Sequence, residues 1–170
     1  MPGEDDPIWI HRGVSDPAYF VPPTAEPPVT PAVRRTMMSN RGRDTGPELA
    51  LRSLLHRSGL RFRVDHPLPF DRRRRADIVF TRVGLHVFVD GCFWHGCPEH
   101  FVLPKTRTEF WSQKIETNRV RDRDTDARLQ ALGLTSLRIW EHITPVEAAA
   151  LVAQTYRGCL DADPARHSVG

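Results

Sequence analysis

Three short segments rich in β-branched and aromatic residues, all between positions 61 and 90, place the strongest constraint on the fold. Residues 61–65 alternate in polarity, whereas residues 76–81 and 85–90 are mostly apolar. The sequence Arg-Val-Gly at 82–84 fits a tight turn between the last two segments. The spacing therefore predicts a meander of strands.

Helix patterns surround this meander. Residues 45–48, Thr-Gly-Pro-Glu, match a capping box with proline in the first turn, and the leucines that follow predict a helix over 47–58. Apolar residues at helical spacing predict a long helix over 108–132. A strand over 134–140 and a helix over 145–156 follow. The order α, β, β, β, α, β, α predicts an α/β fold with a mixed sheet flanked by helices.

The 170 residues indicate one domain. Residues 1–31, rich in Pro, Asp and Glu, predict a disordered or extended arm, followed by the domain over 32–160 and a flexible tail over 161–170. The net charge is +3, yet residues 31–145 hold 21 basic and 13 acidic side chains. This excess favours a polyanionic partner, although a solvated basic surface explains it equally well.

The sequence has neither a membrane span of about 18 to 20 apolar residues nor the pattern of a signal peptide, so we expect a cytoplasmic protein. Its three cysteines make a poor disulfide framework. Cys92, Cys97 and His100 have the spacing C-x4-C-x2-H, and His142 follows the last predicted strand. Three close ligands and one distant ligand predict a tetrahedral structural Zn²⁺ site. The alternative is reduced cysteines and unrelated histidines without a metal.

Two acidic residues lie on the predicted strands. A carboxylate such as Asp77 on an apolar strand is unfavourable unless it is solvated, paired or bound to a cation. One interpretation pairs Asp77 with an arginine at 72–75. The other places it beside Asp90, at the end of the next strand, so that both carboxylates bind a hydrated Mg²⁺. This pattern matches the metal-binding half of the PD-(D/E)xK nuclease motif, with Cys92 at the expected lysine position.

Five stretches resemble one branch of that fold, the very-short-patch repair (Vsr) mismatch endonucleases. In order and at matching spacing, they are RRTMMSNRGRDTGPE, RRADIVF, DGCFWHGC, KTRTEFWSQKIETNRVRD and LRIWEH. The resemblance implies a restriction-endonuclease-like fold and a Mg²⁺-dependent nick in one DNA strand next to a T:G mismatch, the lesion left when 5-methylcytosine deaminates. The alternatives are a related nuclease that cuts unmismatched or modified DNA, and a zinc-stabilised DNA-binding module without catalysis.

The resemblance also implies a set of metal ligands. Asp77 would be the central Mg²⁺ ligand, joined by the backbone carbonyl near Val89, with Asp90 as a helper. Glu48 matches a glutamate that lies near the metal waters of the family, and its place in the capping box explains it equally well. The family's zinc loop is spaced differently and has a cysteine at the position of His142, so the four zinc ligands follow the family only in part.

A general base and its orienting acid are implied in the same way. His95 would replace the missing lysine and activate water, because an imidazole titrates near neutrality, and Asp122 would fix its tautomer. The alternative for His95 is a further zinc ligand. The alternative for Asp122 is a surface salt bridge with a neighbouring arginine.

The DNA contacts complete the implied site. Phe93, Trp94 and Trp111 would enter the duplex from the major groove and Met37 from the other side, where apolar wedges unstack a mismatch more easily than a matched step. For each ring the alternative is core packing. The expected phosphate contacts are Arg34, Arg35, Arg41, Arg43 and Lys105 or Arg107.

The implied partner is double-stranded DNA with a T:G mismatch. Mismatch-repair proteins and a functional link to a DNA cytosine-5 methyltransferase are also expected. We also expect a monomer that needs no membrane and associates with the nucleoid when bound to DNA.

Overall fold

The computed structural model describes residues 44–162, which form a four-stranded sheet and three helices. The elements are α1 (Gly46–Arg57), β1 (Arg63–Leu68), β2 (Asp71–Phe80), β3 (Leu85–Asp90), α2 (Thr108–Ala131), β4 (Thr135–Trp140) and α3 (Pro145–Ala162). This order confirms the predicted mixed α/β arrangement. Within the described range, no helix is both long and apolar enough to cross a membrane. The predicted arm over 1–31 and Arg34, Arg35, Met37, Arg41 and Arg43 lie outside the described residues.

The sheet has the order β1-β2-β3-β4 and is mixed. The first three strands are antiparallel, and β4 runs parallel to β3 after the crossover through α2. The turn between β2 and β3 ends at Gly84, whose φ of 68° is the left-handed conformation that glycine adopts without strain. The meander predicted from residues 61–90 is therefore present.

Three elements differ from the prediction by more than one residue at a boundary. Strand β2 begins at Asp71, because the arginines at 72–75 continue its pairing with β1. Strand β1 starts and ends later than predicted and contains Pro67, which an edge strand tolerates. Helix α3 continues past position 156 to Ala162, since Cys159 and Leu160 still pack against the core.

The two faces of the sheet carry separate apolar clusters. Helices α1 and α3 cover one face, where Ile78 and Phe80 of β2 point into the larger cluster. Helix α2 covers the other face, where Val79 packs with Phe88 and Leu129. Successive side chains on a strand alternate between faces, so Asp77 shares the α2 face with Val79. This alternation directs Asp77 toward α2 and away from the larger cluster.

Candidate functional site

A cavity of about 910 Å³ lies between the sheet, the start of α1 and the loop after β3. Its walls include all four predicted catalytic residues, which come from four different parts of the chain. These are Glu48 on α1, Asp77 on β2, His95 on the loop and Asp122 on α2. The fold therefore brings together carboxylates and a histidine that are up to 74 positions apart in sequence.

Asp77 is a largely buried carboxylate with one strong donor. Its Oδ2 accepts a hydrogen bond from the Val89 backbone N–H at 2.7 Å. Burial raises the pKa of Asp77 to about 6 against this hydrogen bond, and the negative charges of Glu48 and Asp90 add to the increase. Among the described residues, no ion pair joins Asp77 to the arginines at 72–75, so the alternative of an arginine-paired Asp77 is not what the structure contains.

Glu48 lies in the first turn of α1 and makes several polar contacts there. Its carboxylate accepts hydrogen bonds from the Thr45 hydroxyl at 2.9 Å and the Asp44 backbone N–H at 3.0 Å, and Arg52 donates to it at 2.7 Å. The predicted capping box is altered, because the Thr45 hydroxyl bonds to Glu48 and makes no hydrogen bond to the helix backbone. Glu48 is only 4% exposed, yet it lines the cavity beside Asp77.

His95 and Asp122 form a dyad. The His95 Nδ1 lies 2.5 Å from Asp122 Oδ2. The other ring nitrogen, Nε2, takes no part in this contact. Burial disfavours the charged imidazole, but the hydrogen bond to Asp122 and the charges of Asp90 and Asp122 outweigh it and raise the pKa of His95. Asp122 keeps a lowered pKa despite its burial because it is bound to His95 and close to Arg138. These contacts differ from the alternative of a salt bridge with a neighbouring arginine of α2.

Arg138 of β4 is the residue of this site that the sequence interpretation missed. Its Nη1 donates to both oxygens of Asp90, at 3.0 and 2.9 Å, and its Nε donates to Asp126 at 2.9 Å. The role of Asp90 as a Mg²⁺ helper stays a prediction, and in the structure both of its oxygens are bound by this guanidinium. A charged residue inside the apolar strand TSLRIW was the available indication, by the same criterion that singled out Asp77.

Helix α2 also holds the backbone of the loop that carries His95. Asn118 Nδ2 donates to the Trp94 carbonyl at 2.8 Å, and Arg119 donates to the carbonyls of His95 at 3.2 Å and Gly96 at 2.6 Å. Gly96 has φ of 65°, and a Cβ at this position would lie 2.4 Å from the Arg119 guanidinium. The backbone conformation therefore favours glycine here, and a Cβ would also displace the Arg119 guanidinium from the loop.

The three predicted wedge residues pack against one another at the surface. The ring centroid of Phe93 lies 5.3 Å from that of Trp94 and 5.2 Å from that of Trp111, and the centroids of the two tryptophan rings are 6.1 Å apart. All three are half-buried, and Phe101 and Phe110 extend the group. Phe93 and Trp94 also line the cavity. The rings thus belong to a surface cluster beside the candidate catalytic residues, and none of the three is fully enclosed in the core.

The loop and His142, two residues after β4, form a second group of possible ligand atoms. Cys92, Cys97, His100 and His142 each place one Sγ or ring nitrogen within 4.8 Å of the others. The Sγ of Cys92 lies 3.1 Å from His142 Nδ1, and the Sγ of Cys97 lies 3.7 Å from the Nδ1 of both His100 and His142. These separations fit a tetrahedral zinc site, for which bond lengths of about 2.3 and 2.0 Å give sulfur-to-nitrogen distances of about 3.5 Å.

Comparisons with known proteins find similar sequences. A family model described as DNA mismatch endonuclease Vsr matches residues 28–100. The type II nicking enzyme V.NaeI of Lentzea aerocolonigenes is 42% identical over 130 residues, covering 75% of this chain and 78% of the relative. V.XorIIP of Xanthomonas oryzae pv. oryzae, another type II nicking enzyme, is 44% identical over 115 residues, covering 66% and 82%. The DNA mismatch endonuclease Vsr of Escherichia coli is 46% identical over 101 residues, covering 58% and 62%.

The chain belongs to the Vsr family. It is a DNA endonuclease, as the resemblance implied. The family model ends at residue 100, so it spans Asp77, His95 and the aromatic pair but not Asp122 or His142. In this Vsr-family protein, residues beyond the matched range complete both groups. Helix α2 brings Asp122 to His95, and the end of β4 brings His142 to the loop cysteines.

Proposed function

We propose that this Vsr-family endonuclease nicks one strand of duplex DNA next to a T:G mismatch and requires Mg²⁺. The observation that carries the proposal is that Asp77, the His95–Asp122 dyad and the rings of Phe93 and Trp94 all line one cavity. The names of the relatives support its two parts, since V.NaeI is a nicking enzyme and the Escherichia coli relative is a mismatch endonuclease.

The residues present fit a hard divalent cation. Asp77 offers carboxylate oxygens in the cavity, and the Glu48 carboxylate, bound to Arg52, lines it as well. Burial, together with the charges of Glu48 and Asp90, raises the pKa of Asp77, and a bound cation would favour its ionised form. We assign the Mg²⁺ to Asp77, with the backbone near Val89 and with Glu48 near its waters. Asp90 is left out because Arg138 engages both of its oxygens. Bound Mg²⁺ supplies positive charge that offsets the charge developing on a phosphodiester during hydrolysis.

His95 acts as the general base in this proposal. Its Nδ1–H donates to Asp122 at 2.5 Å, so the neutral ring has its lone pair on Nε2. Nε2 accepts a proton from a water molecule whose oxygen forms a bond to phosphorus, while the bond from phosphorus to the leaving DNA oxygen breaks. The Asp122 carboxylate stabilises the imidazolium that results.

The aromatic cluster supplies mismatch sensing. Pushing rings between base steps costs a few kcal/mol per step, and a mismatched step resists it less than a matched one. Phe93 and Trp94 directly precede His95 in sequence, and Trp111 packs against both. Entry of the rings at a mismatch would therefore place His95, the proposed general base, beside the neighbouring phosphodiester. Phosphate contacts are assigned to Lys105 or Arg107 and to the arginines of the segment before residue 44.

We infer that the Cys/His cluster holds a structural Zn²⁺. All four ligands and their separations suit zinc, and no position is left open for a substrate. Burial and the neighbouring Cys97 and Glu141 raise the pKa of the Cys92 thiol to about 12, so a bound cation is what would favour its thiolate form. Zinc would fix the start of the loop to His142, two residues after β4.

The test is a strand-specific nicking assay on duplexes of one sequence that carry a T:G pair, a matched C:G pair, a 5-methylcytosine:G pair or an A:T pair. The proposal expects a nick in the thymine strand of the T:G duplex only, dependent on Mg²⁺ and absent in Asp77→Ala. Equal cutting of matched or methylated duplexes would instead support the related nuclease, and mismatch binding without any nick would support the non-catalytic module.

The cellular setting follows from the same proposal. T:G mismatches arise where a cytosine-5 methyltransferase has acted, so the enzyme would be linked to such a methyltransferase and to mismatch-repair proteins. It would act as a cytoplasmic monomer on nucleoid DNA, and size-exclusion chromatography with light scattering of the purified chain tests the monomer directly.

A further inference from the structure

Arg138 is the centre of a charge cluster directly behind the base. Its guanidinium is bound to Asp90 through both carboxylate oxygens and to Asp126 at 2.9 Å, and it lies 3.3 Å from Asp122 Oδ1. The side chains of Arg138, Asp90 and Asp126 are 12%, 9% and 5% exposed. One arginine therefore contacts three acids in a nearly closed space.

Two of these acids also face the imidazole. Asp122 Oδ2 lies 2.5 Å from His95 Nδ1, and Asp90 Oδ1 lies 3.7 Å from the same atom. Arg138 thus holds one oxygen of Asp122 while the other oxygen faces His95. The backbone register fixes this arrangement, because Phe88 pairs with Arg138 and Asp90 follows two residues later on the same face.

The cluster is a poor device for stability alone. Removing an arginine and acids from water is unfavourable, and apolar residues of similar volume often serve a fold equally well or better. The Arg138 guanidinium also stacks 4.6 Å from the Phe88 ring centroid, a position that a rigid planar group holds better than a flexible ammonium. The geometry is that of a fork that fixes the orientation of neighbouring carboxylates.

We propose that Arg138 is a positioning residue for the reaction: it fixes Asp90 and Asp122, which in turn hold His95 with Nε2 toward the Asp77 cavity. The inference rests on the proposed function for its kinetic consequence only. Asp90 then belongs to the base and its supports, and its role is separate from the metal ligands.

The first test needs no catalysis. In nitrogen-15 NMR spectra of the metal-replete protein, the Nδ1–H of His95, assigned by its absence in His95→Gln, should give a downfield, hydrogen-bonded resonance. Arg138→Met should shift or abolish this resonance, and Arg138→Lys should alter it less. The control is Arg128→Met, because Arg128 is bound to an aspartate, Asp124, and lies over an aromatic ring, that of Phe70, but is not among the residues that line the cavity of His95. That variant should leave the resonance unchanged.

The second test is single-turnover nicking of the T:G duplex. Arg138→Met should lower the maximal rate on the order of 10²-fold, the loss that a misplacement of about 1 Å can cause. The DNA concentration for half-maximal rate should stay unchanged, and Arg138→Lys should recover part of the rate. Asp90→Asn should lower the rate while the Mg²⁺ concentration for half-maximal activity stays the same.

The outcomes separate the two proposals. An unchanged His95 resonance in folded Arg138→Met would overturn the positioning role, as would a loss confined to DNA affinity. A higher Mg²⁺ requirement in Asp90→Asn would return Asp90 to the metal ligands and also overturn it. If the wild-type protein nicked no duplex while Arg138→Met still shifted the resonance, the proposed function would fail and the positioning of His95 would stand.

Discussion

Replacing Asp77 with asparagine separates the stability of the site from its chemistry. The side chain is largely buried, and burial together with the charges of Glu48 and Asp90 raises its pKa from 3.8 to about 6. At pH 7 the metal-free protein must therefore hold an ionised carboxylate in a place that favours the neutral form. Asparagine keeps the shape, and its Oδ1 can accept the hydrogen bond from the Val89 N–H.

The size of the effect follows from the pKa difference. Each tenfold change in proton affinity is worth about 1.4 kcal/mol, so the ionised Asp77 destabilises the metal-free fold by up to about 3 kcal/mol at pH 7. The folded state binds the proton more tightly than the unfolded state, so this group's contribution to stability is greatest below pH 4 and is lost as pH rises through 6. Asp77→Asn should therefore stabilise the metal-free protein while it abolishes nicking.

The assay is urea denaturation of both proteins from pH 4 to pH 7 in Mg²⁺-free buffer, with zinc content checked. The difference in unfolding free energy should be near zero at pH 4 and reach about 3 kcal/mol in favour of the variant at pH 7. Mg²⁺ at about 100 times its dissociation constant should then stabilise only the wild type, by about 2.7 kcal/mol. A variant less stable than wild type at pH 7, or equal stabilisation of both by Mg²⁺, would refute the reasoning.

Three further outcomes are expected. If His95 is the general base, as proposed, His95→Ala should lower single-turnover nicking by about 10² to 10⁴-fold while DNA affinity, measured by fluorescence anisotropy, is retained. A loss under threefold would contradict the role. Cys92→Ser should reduce bound zinc, measured by atomic absorption, and lower the denaturation midpoint; full zinc occupancy would count against the cluster. Burial lowers the pKa of His86, so stability should fall as pH drops below about 6.5, and comparison with His86→Gln at each pH should isolate this loss. An identical pH profile for both proteins would argue against it.

Local patterns were sufficient for much of the fold and site. The strand order, the loop ligands and Asp77 each have an indication within a few residues: an apolar run, a C-x4-C-x2-H spacing, or a carboxylate on an apolar strand. The boundaries of β2 were not predictable in this way. Four successive arginines resemble a solvated loop, and only their pairing with β1 extends the strand to Asp71.

The environment of Asp90 shows why the rest required the structure. Its two oxygens point to Arg138, 48 residues later, and that contact depends on the register between β3 and β4. Sequence spacing placed Asp90 near Asp77, and the two charges do influence each other. Sequence proximity could not show that Arg138, on the neighbouring strand, binds both oxygens of Asp90.

The loop over 91–100 joins these separate parts into one mechanical unit. It carries Phe93, Trp94 and His95, and it is held at three places: by the Cys/His cluster, by Asn118 and Arg119 on α2, and by Asp122 and Arg138 behind His95. Because the two rings and His95 are held by the same contacts, a substitution that frees the rings should also displace His95. Cys92→Ser should therefore weaken mismatch discrimination and nicking together, although Cys92 contacts neither DNA nor water in the proposed mechanism. Discrimination that survived in a zinc-depleted, folded variant would show that the rings are positioned by α2 alone.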